Sequence, residues 1–136
     1  MSVEENKALV RRLYELVNRK EIATAFELFD PGYCEHSTSQ TMFLEEVKNL
    51  DRMFVVAFPD IISTLEYMVA EGDKVAIRVT WRGSHKGQFM GIPPTGNRIE
   101  MTNTAIYRIA EGRLAENWYT GDDLRLMRQL GVIPKK

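Results

Sequence analysis

The chain contains very little cysteine and histidine, with one Cys and two His among 136 residues. Cys34 has no second cysteine with which to form a disulfide inside the chain. No cluster of Cys and His has the spacing of a zinc site. A single thiol is typical of a reducing compartment, so we expect a cytoplasmic protein without a bound metal.

An excess of charge of one sign is also absent, since 18 basic and 19 acidic residues give a net charge of -1. Proteins that bind nucleic acid or anionic membranes usually carry a basic patch, and mixed charges argue against both partners. The longest apolar runs are about half a dozen residues, against roughly 20 needed to cross a bilayer. The opening "MSVEENKALVRRLYELV" is acidic and then amphipathic, unlike a signal peptide.

What is present is the composition of an ordinary globular domain, with 44% hydrophobic and 27% charged residues. A chain of this length buries roughly two-thirds of its unfolded surface, so it needs neither a metal nor disulfides to fold. No repeat, low-complexity tract or linker divides the sequence. We therefore expect residues 1–136 to form one domain.

The first half of the chain has the period of amphipathic helices. Ser2 and Glu5 have the spacing of a capping box at the start of a first helix. Its apolar stripe consists of Leu9, Val10, Leu13, Leu16 and Val17. A short second helix has an apolar face made of Ile22, Phe26 and Phe29.

A third helix is predicted from about Thr41 to Pro59, because proline does not continue a helix. Its apolar positions are spaced by three and four and comprise Phe43, Val47, Leu50, Phe54 and Phe58. Between the second and third helices lies "GYCEHSTSQ", which is short and polar. We expect a loop there.

The second half changes to a period of two. Four runs are rich in β-branched and aromatic residues: "ISTLEYMVAEG", "DKVAIRVTWRGSH", "NRIEMTNTAIYRIAEG" and "RLAENWYTGD". Glu71-Gly72-Asp73 and Glu111-Gly112 are typical of hairpin turns. The pattern predicts an α+β fold, with three N-terminal helices packed on a curved, mainly antiparallel sheet that encloses a cone.

Alternation along the strands indicates which side chains face the helices. In the second strand Val75 and Val79 share a face with Trp81, and His85 has the same parity, which places it at a pocket rim. Asn103 is a lone polar residue on the inner face of the third strand. In the last strand Asp122 shares parity with Leu114, provided that no β-bulge intervenes, because a bulge reverses every residue beyond it.

Several phrases of the sequence resemble one family. They are "AFPDI", "EGDKVAIRVTWRGSHKGQFMGIPPTGNRI" and "IYRIAEGRLAENW", followed by "QLG". In this order and spacing they resemble the SnoaL-like polyketide cyclases, also called ester cyclases, of the nuclear-transport-factor-two-like superfamily. The resemblance covers nearly the whole chain and implies a cone-shaped α+β barrel.

The resemblance also implies site residues. The family's Gly-Thr-His-x-Gly phrase is present as Gly83 to Gly87 and keeps the histidine, His85. The Trp-x-x-x-Asp phrase corresponds to Trp118 and Asp122, which implies that Asp122 is the catalytic acid/base with His85 beside it. Asp123 is the alternative aspartate, although the spacing to "QLG" favours Asp122. A family histidine after the second helix matches His36.

These residue types fit an intramolecular aldol cyclisation. The reaction needs a proton removed from a carbon next to a carbonyl and a proton delivered to the accepting carbonyl oxygen. A carboxylate in an apolar cavity has a raised pKa and can hold and release a proton near neutral pH, while a histidine orients it or stabilises the enolate. Neither a metal nor an organic cofactor is required.

Each candidate also has a structural interpretation. Asp122 fits an N-cap, and His85 fits a packed strand end. "GQFMGIPPTG" is either a stiff turn or a lid over the cone opening. The candidates for binding substrate, all of which could equally be core, are Tyr14, His36, Trp81, Met90, Asn103 and Trp118.

Two functions of different classes follow. One is a cofactor-free acid/base enzyme acting on a small apolar carbonyl compound, most like a polyketide cyclase, or else an isomerase or hydrolase using the same pocket. The other is a non-catalytic binding or dimerisation module, because one fold serves many functions. Convergence of His36, His85 and Asp122 on one cavity favours the enzyme, and their dispersal favours the module.

We also expect a homodimer formed through the outer face of the sheet. The outward positions are mild and mostly uncharged: Ile62, Thr64, Thr80, Thr102, Thr104 and Ile106.

Overall fold

Ten helices and strands make up the described part of the chain, residues 2–37 and 39–134 of a computed structural model. The helices are α1 (Val3–Asn18), α2 (Ile22–Phe26), α3 (Leu44–Ala57) and α4 (Asp123–Gln129). The strands are β1 (Phe29–His36), β2 (Thr41–Phe43), β3 (Ile62–Glu71), β4 (Lys74–Ser84), β5 (Arg98–Ala110) and β6 (Arg113–Gly121).

One sheet contains all six strands in the order β2-β1-β6-β5-β4-β3. Every neighbouring pair is antiparallel except β1 and β6, which are parallel. Helix α1 contacts β3 and β4, and α3 contacts β1. The predicted α+β fold, with N-terminal helices packed on a mainly antiparallel sheet, is confirmed.

Helix α1 begins as its sequence predicts. The Ser2 hydroxyl accepts the Glu5 backbone N–H at 3.1 Å, and the Glu5 carboxylate accepts the Ser2 N–H at 3.1 Å. This reciprocal pair satisfies two of the free N–H groups of the first turn. Val10, Leu13 and Leu16 are then buried against the inner face of the sheet.

The expected loop between the second and third helices is wrong. Helix α2 ends at Phe26, Phe29 opens β1, and the third helix begins at Leu44 rather than Thr41. Most of "GYCEHSTSQ" belongs to β1, which pairs with β2 on one side and β6 on the other, although Thr38 lies outside the described residues. The strand looks polar because Tyr33 and Glu35 on its inner face line a cavity, while Cys34 and His36 lie on its outer face.

The long strands follow the predicted alternation through two hairpins. The β3–β4 turn contains Gly72 with a φ of 60°, and the β5–β6 turn contains Glu111 and Gly112 with φ of 51° and 75°. Positive φ at both central residues, as in the β5–β6 turn, and positive φ at the first alone, as in the β3–β4 turn, are the two tight hairpin turns whose twist matches their strands. The pairing of Val79 with Asn103 then places the inner residues of β4 and β5 side by side.

A β-bulge in β6 reverses the second half of that strand. Ile109 pairs with Leu114, but the next pair is Arg108 with Glu116, so Ala115 is the extra residue. Leu114 is buried, and beyond the bulge Asn117 and Tyr119 face inward while Trp118 faces outward. The uninterrupted parity on which the inward placement of Asp122 depended does not hold.

Candidate active site

A cavity of about 210 Å³ lies between the N-terminal helices and the concave face of the sheet. At about 30 Å³ per water it has room for roughly seven waters, or for one small ring compound. Its walls are largely apolar, and the larger side chains among them are Phe26, Phe29, Phe54, Ile61, Trp81 and Met101. Exposed Lys20 is also part of the lining, which places the cavity mouth beside it.

Glu35 is a carboxylate on the cavity wall. The Tyr33 hydroxyl donates to its Oε1 at 2.8 Å, and the Asn117 side-chain amide donates to the same oxygen at 3.3 Å. Among the described residues the other oxygen, Oε2, has no hydrogen-bond partner. One carboxylate oxygen is therefore held in place while the other is free to meet a ligand.

Four tyrosines surround Glu35 in the same cavity: Tyr14, Tyr33, Tyr107 and Tyr119. The hydroxyls of Tyr14 and Tyr107 share a hydrogen bond of 2.9 Å. Burial raises the pKa of all four phenols, and the charge of Glu35 raises each pKa further, to about 12 for Tyr119. The four phenols therefore stay protonated at neutral pH and act as O–H donors.

Three polar oxygens of the cavity residues are buried without a hydrogen-bond partner among the described residues. They are Oδ1 of Asn103, Oδ1 of Asn117 and Oδ2 of Asp51. An unpaired buried acceptor costs roughly 1–3 kcal/mol, so such atoms in a native structure call for an explanation. They are the buried polar atoms of the cavity residues for which the described part of the chain supplies no donor.

Asp51 is a second carboxylate of the cavity, on helix α3. Burial raises its pKa, and the charges of Lys20 and Arg52 offset only part of that effect. Lys20 in turn has a pKa lowered mainly by burial, and its Nζ donates to the Ile61 carbonyl oxygen. The two groups place a polar pair at the mouth of an otherwise apolar cavity.

Of the site residues expected from sequence, Tyr14, Trp81 and Asn103 line the cavity. Tyr14 lies on α1, and the other two lie on the inner faces of β4 and β5. The ring centroids of Tyr14 and Trp81 are 5.9 Å apart.

His85 lies outside the cavity and is completely buried. Its Nδ1 accepts the Thr95 backbone N–H at 3.2 Å and lies 2.9 Å from the Thr95 hydroxyl, and its ring packs 5.5 Å from Phe58. A Cβ on Gly87 would lie 2.1 Å from the Val56 carbonyl oxygen, so this part of the motif fits against the end of α3. The expectation that His85 borders the cavity is wrong. His85 follows β4 and bonds to Thr95 and Asn97 just before β5, so it connects the two ends of the β4–β5 connection.

Asp122 is exposed and caps helix α4, where its Oδ1 accepts the Arg125 N–H at 3.1 Å. Asp123 is exposed in the first turn of the same helix. Neither aspartate lines the cavity. The prediction that Asp122 and His85 share a pocket is wrong. The bulge in β6 turns Asn117 and Tyr119 inward instead of the even-numbered residues, and β6 ends at Gly121, so that Asp122 begins helix α4.

The other three expected residues also lie away from the cavity. His36 and Trp118 stack on the outer face of the sheet with centroids 5.7 Å apart. Met90 is 65% exposed at the tip of its connection, whereas neighbouring Phe89 is only 2% exposed and packs on Phe58. With Phe89 anchored in the core, the segment has the geometry of a packed turn instead of a lid.

Most polar groups of the cavity were absent from the sequence-based candidates. Tyr33 and Glu35 lie in the stretch that the sequence predicts to be a loop. Simple alternation along β6 predicts that Asn117 and Tyr119 face outward, and the bulge turns them inward. The sequence does indicate that Asp51 faces inward, because it lies four residues after Val47 and three before Phe54, on the apolar face of α3.

N-terminal helices packed on a six-stranded sheet around an apolar cavity form the cone-shaped α+β fold. Residues 7–130 match the family model of the SnoaL-like polyketide cyclases. The chain belongs to the SnoaL-like polyketide cyclase family. No curated protein matches it.

Solved structures agree with this assignment. IdmH of Streptomyces antibioticus, described as "a putative polyketide cyclase", is 32% identical, covers 93% of this chain and 98% of its own, and superposes with a TM-score of 0.81. AclR of Streptomyces galilaeus, described as "a putative hydroxylase", is 28% identical over 99% of this chain and 86% of its own, with a TM-score of 0.94. TsrD of Streptomyces laurentii is 26% identical over 98% and 99% of the two chains, with a TM-score of 0.85.

Within the described residues, no helix has both the length and the apolar character needed to span a membrane.

Proposed function

We propose that this chain is a cofactor-free acid/base enzyme of the cyclase type, acting on a small, largely apolar carbonyl compound, with Glu35 as the base. The observation that carries the proposal is the placement of Glu35 among four tyrosine hydroxyls in an apolar cavity. Family membership supports the reaction class. Glu35 and the tyrosines take the roles that the sequence assigns to Asp122 and His85, and the reaction remains an aldol cyclisation.

The proposed reaction moves one proton and forms one carbon–carbon bond. Oε2 of Glu35 takes a proton from the carbon next to a carbonyl, and the resulting enolate carbon attacks a second carbonyl carbon of the same molecule. The attacked oxygen becomes an alkoxide and receives a proton, so that Glu35 is ionised again at the end. A positioned base of this kind contributes about 10²–10⁴-fold to a rate.

The tyrosines stabilise the negative oxygen that develops. Tyr14 and Tyr119 line the cavity, and their raised pKa values keep them as O–H donors. Fixed donors in an apolar cavity need no reorganisation as charge appears, and removing one such donor from an enzyme typically costs about 10²–10³-fold in kcat.

The unpaired acceptors narrow the substrate class. Oδ1 of Asn103, Oδ1 of Asn117 and Oδ2 of Asp51 can accept hydrogen bonds, and the described part of the chain supplies none to them. Aromatic walls such as Trp81 and Phe54 favour a planar apolar body. We therefore expect a substrate that combines a ring or conjugated carbonyl system with two or more hydroxyl donors.

A second candidate function is binding without catalysis. The dispersal of His36, His85 and Asp122 away from the cavity is the observation that favours it. The same cavity would then hold the ligand through its apolar walls and unpaired acceptors.

One experiment separates the two candidates. The chain has two tryptophans, and Trp118→Phe leaves Trp81, in the cavity wall, as the single tryptophan, whose fluorescence is excited selectively over that of tyrosine. Phenolic compounds with two carbonyl groups in a 1,5 relation, which lets an aldol addition close a six-membered ring, are titrated against this variant. Those that bind are incubated with the unmodified chain and analysed by mass spectrometry. Conversion of a bound compound to a cyclised product of unchanged mass, or of mass lower by one water, supports the enzyme.

Binding without any product supports the second candidate and overturns the first. Since AclR is described as "a putative hydroxylase", a product heavier by one oxygen would contradict cyclisation and indicate hydroxylation instead.

A further inference from the structure

A second group of reactive side chains lies on the opposite face of the sheet from the cavity. Cys34 and His36 are two residues apart on β1 and point the same way, and Glu116 on β6 pairs in register with Cys34. One ligand atom from each residue lies within 4.8 Å of the other two. From this geometry we propose that Cys34, His36 and Glu116 form a binding site for a divalent transition-metal ion, best suited to Zn²⁺.

The distances fit three corners of a tetrahedron. With bonds of about 2.3 Å to sulfur and 2.0–2.1 Å to nitrogen and oxygen, neighbouring ligand atoms around zinc lie about 3.4–3.6 Å apart. Cys34 Sγ is 3.6 Å from His36 Nε2 and 3.8 Å from Glu116 Oε2. His36 Nε2 and Glu116 Oε2 are 2.5 Å apart, so only this edge must open, by about 0.9 Å, when a metal replaces the shared proton.

Two further hydrogen bonds orient the ligands. Thr41 Oγ1 lies 2.9 Å from His36 Nδ1, and a proton on Nδ1 leaves the Nε2 lone pair directed at the site. Arg108 Nε donates to Glu116 Oε1 at 3.0 Å and leaves Oε2 for the metal. Metal-bound histidines and carboxylates usually have such outer partners, which fix the ring and the carboxylate.

The chemistry of the three ligands selects the ion. Thiolate, imidazole and carboxylate together suit zinc, whereas magnesium and calcium prefer oxygen alone. Coordination deprotonates the thiol, and the thiolate and carboxylate charges offset those of the dication, so that the positive charge of Arg108 remains beside the site. Trp118 stacks on His36 and shields one side, while His36 and Glu116 keep 28% and 20% of their side chains exposed. The fourth position is thus open to water or to another ligand.

Cobalt provides the direct test, because a Co²⁺–thiolate bond gives a charge-transfer band in the near ultraviolet. Reduced, tag-free, metal-free protein is titrated with Co²⁺ and then with Zn²⁺ as competitor. We expect a one-to-one Co²⁺ complex with this band, which Zn²⁺ displaces. Cys34→Ser should abolish the band and weaken Zn²⁺ binding by more than about 100-fold, which exceeds the loss expected for an outer partner.

Thr41→Val tests the orienting hydrogen bond and should weaken Zn²⁺ binding by about 10–100-fold while the band remains. Thr104→Val changes an exposed threonine of β5 outside the site and should alter neither measurement. A Co²⁺ complex without the band, or Zn²⁺ binding as tight in Cys34→Ser as in the unmodified chain, would overturn the proposal. Equal affinity of Thr41→Val and Thr104→Val would overturn the role of Thr41.

Discussion

Glu35 and Asp51 are two carboxylates of one cavity in different surroundings. Glu35 receives hydrogen bonds from Tyr33 and Asn117 at one oxygen, while Asp51 has one oxygen buried without a partner. The two hydrogen bonds hold Oε1 of Glu35 in place and leave Oε2 open to a ligand. Desolvation disfavours the charged form of Asp51, and the charges of Lys20 and Arg52 offset only part of that cost.

Asp51→Asn should make the protein more stable at neutral pH. Burial raises the folded-state pKa of Asp51 above its unfolded value, so the charged form is penalised by folding. The penalty is full above the folded-state pKa and disappears as the pH falls to the unfolded pKa. Urea unfolding at a series of pH values should show an advantage of the variant that shrinks toward acid. An advantage that is constant with pH would contradict the role of desolvation.

At the scale of elements, the helices and the long hairpins follow from periodicity, capping and turn residues. Helix α1 and strands β3 to β6 lie where their patterns predict, and α3 stops before Pro59 as predicted but begins at Leu44 instead of Thr41. The two wrong predictions, the loop in place of β1 and the uninterrupted alternation of β6, have local causes. Strand β1 carries Glu35 and Tyr33 on its inner face, which gives it the polarity of a loop, and one extra residue in β6 reverses its later side chains.

The family motif around His85 acts as a structural connection. Both the Lys86 and Gly87 N–H groups donate to the Ala57 carbonyl oxygen, at 2.9 and 3.1 Å, which brings the chain against the end of α3. A side chain at Gly87 would collide with the Val56 backbone. This close approach explains the Gly in the phrase without any role in catalysis.

Gly87→Ala should therefore destabilise the protein by more than about 2 kcal/mol, because backbone must move to admit the new Cβ. Lys86→Ala, at an exposed neighbour, should remain within about 0.5 kcal/mol. Denaturant unfolding of the two variants and of the unmodified chain measures both changes in the free energy of unfolding. Equal stability of the two variants would contradict the packing account of this motif.

For the whole molecule, the outer face of the sheet offers an apolar surface for a second copy. The large apolar side chains exposed on β3 and β5 include Ile62, Tyr67, Val69 and Ile106, with exposed fractions of 53%, 71%, 66% and 39%. The cavity face is already covered by the helices. A two-fold dimer through the outer face would bury these side chains without forming an open filament.

Light scattering should show a dimer at about tens of micromolar, a concentration at which a standard-sized interface is occupied. Ile106→Arg should give a monomer, because each copy would bury an unpaired charge at the interface. Val56→Arg places the same charge at an exposed position on α3, away from the outer face of the sheet, and should leave the dimer intact. A monomeric unmodified chain would reject this assembly.

In the proposed reaction Glu35, and not Asp122, transfers the proton. The decisive measurement is the single-turnover rate of Glu35→Gln and Asp122→Asn with a compound that binds the cavity. We predict that Glu35→Gln loses about 10²-fold or more while it still binds. Asp122→Asn should retain the full rate, because asparagine caps a helix as well as aspartate does. A full rate in Glu35→Gln, or a greater loss in Asp122→Asn, would contradict the account.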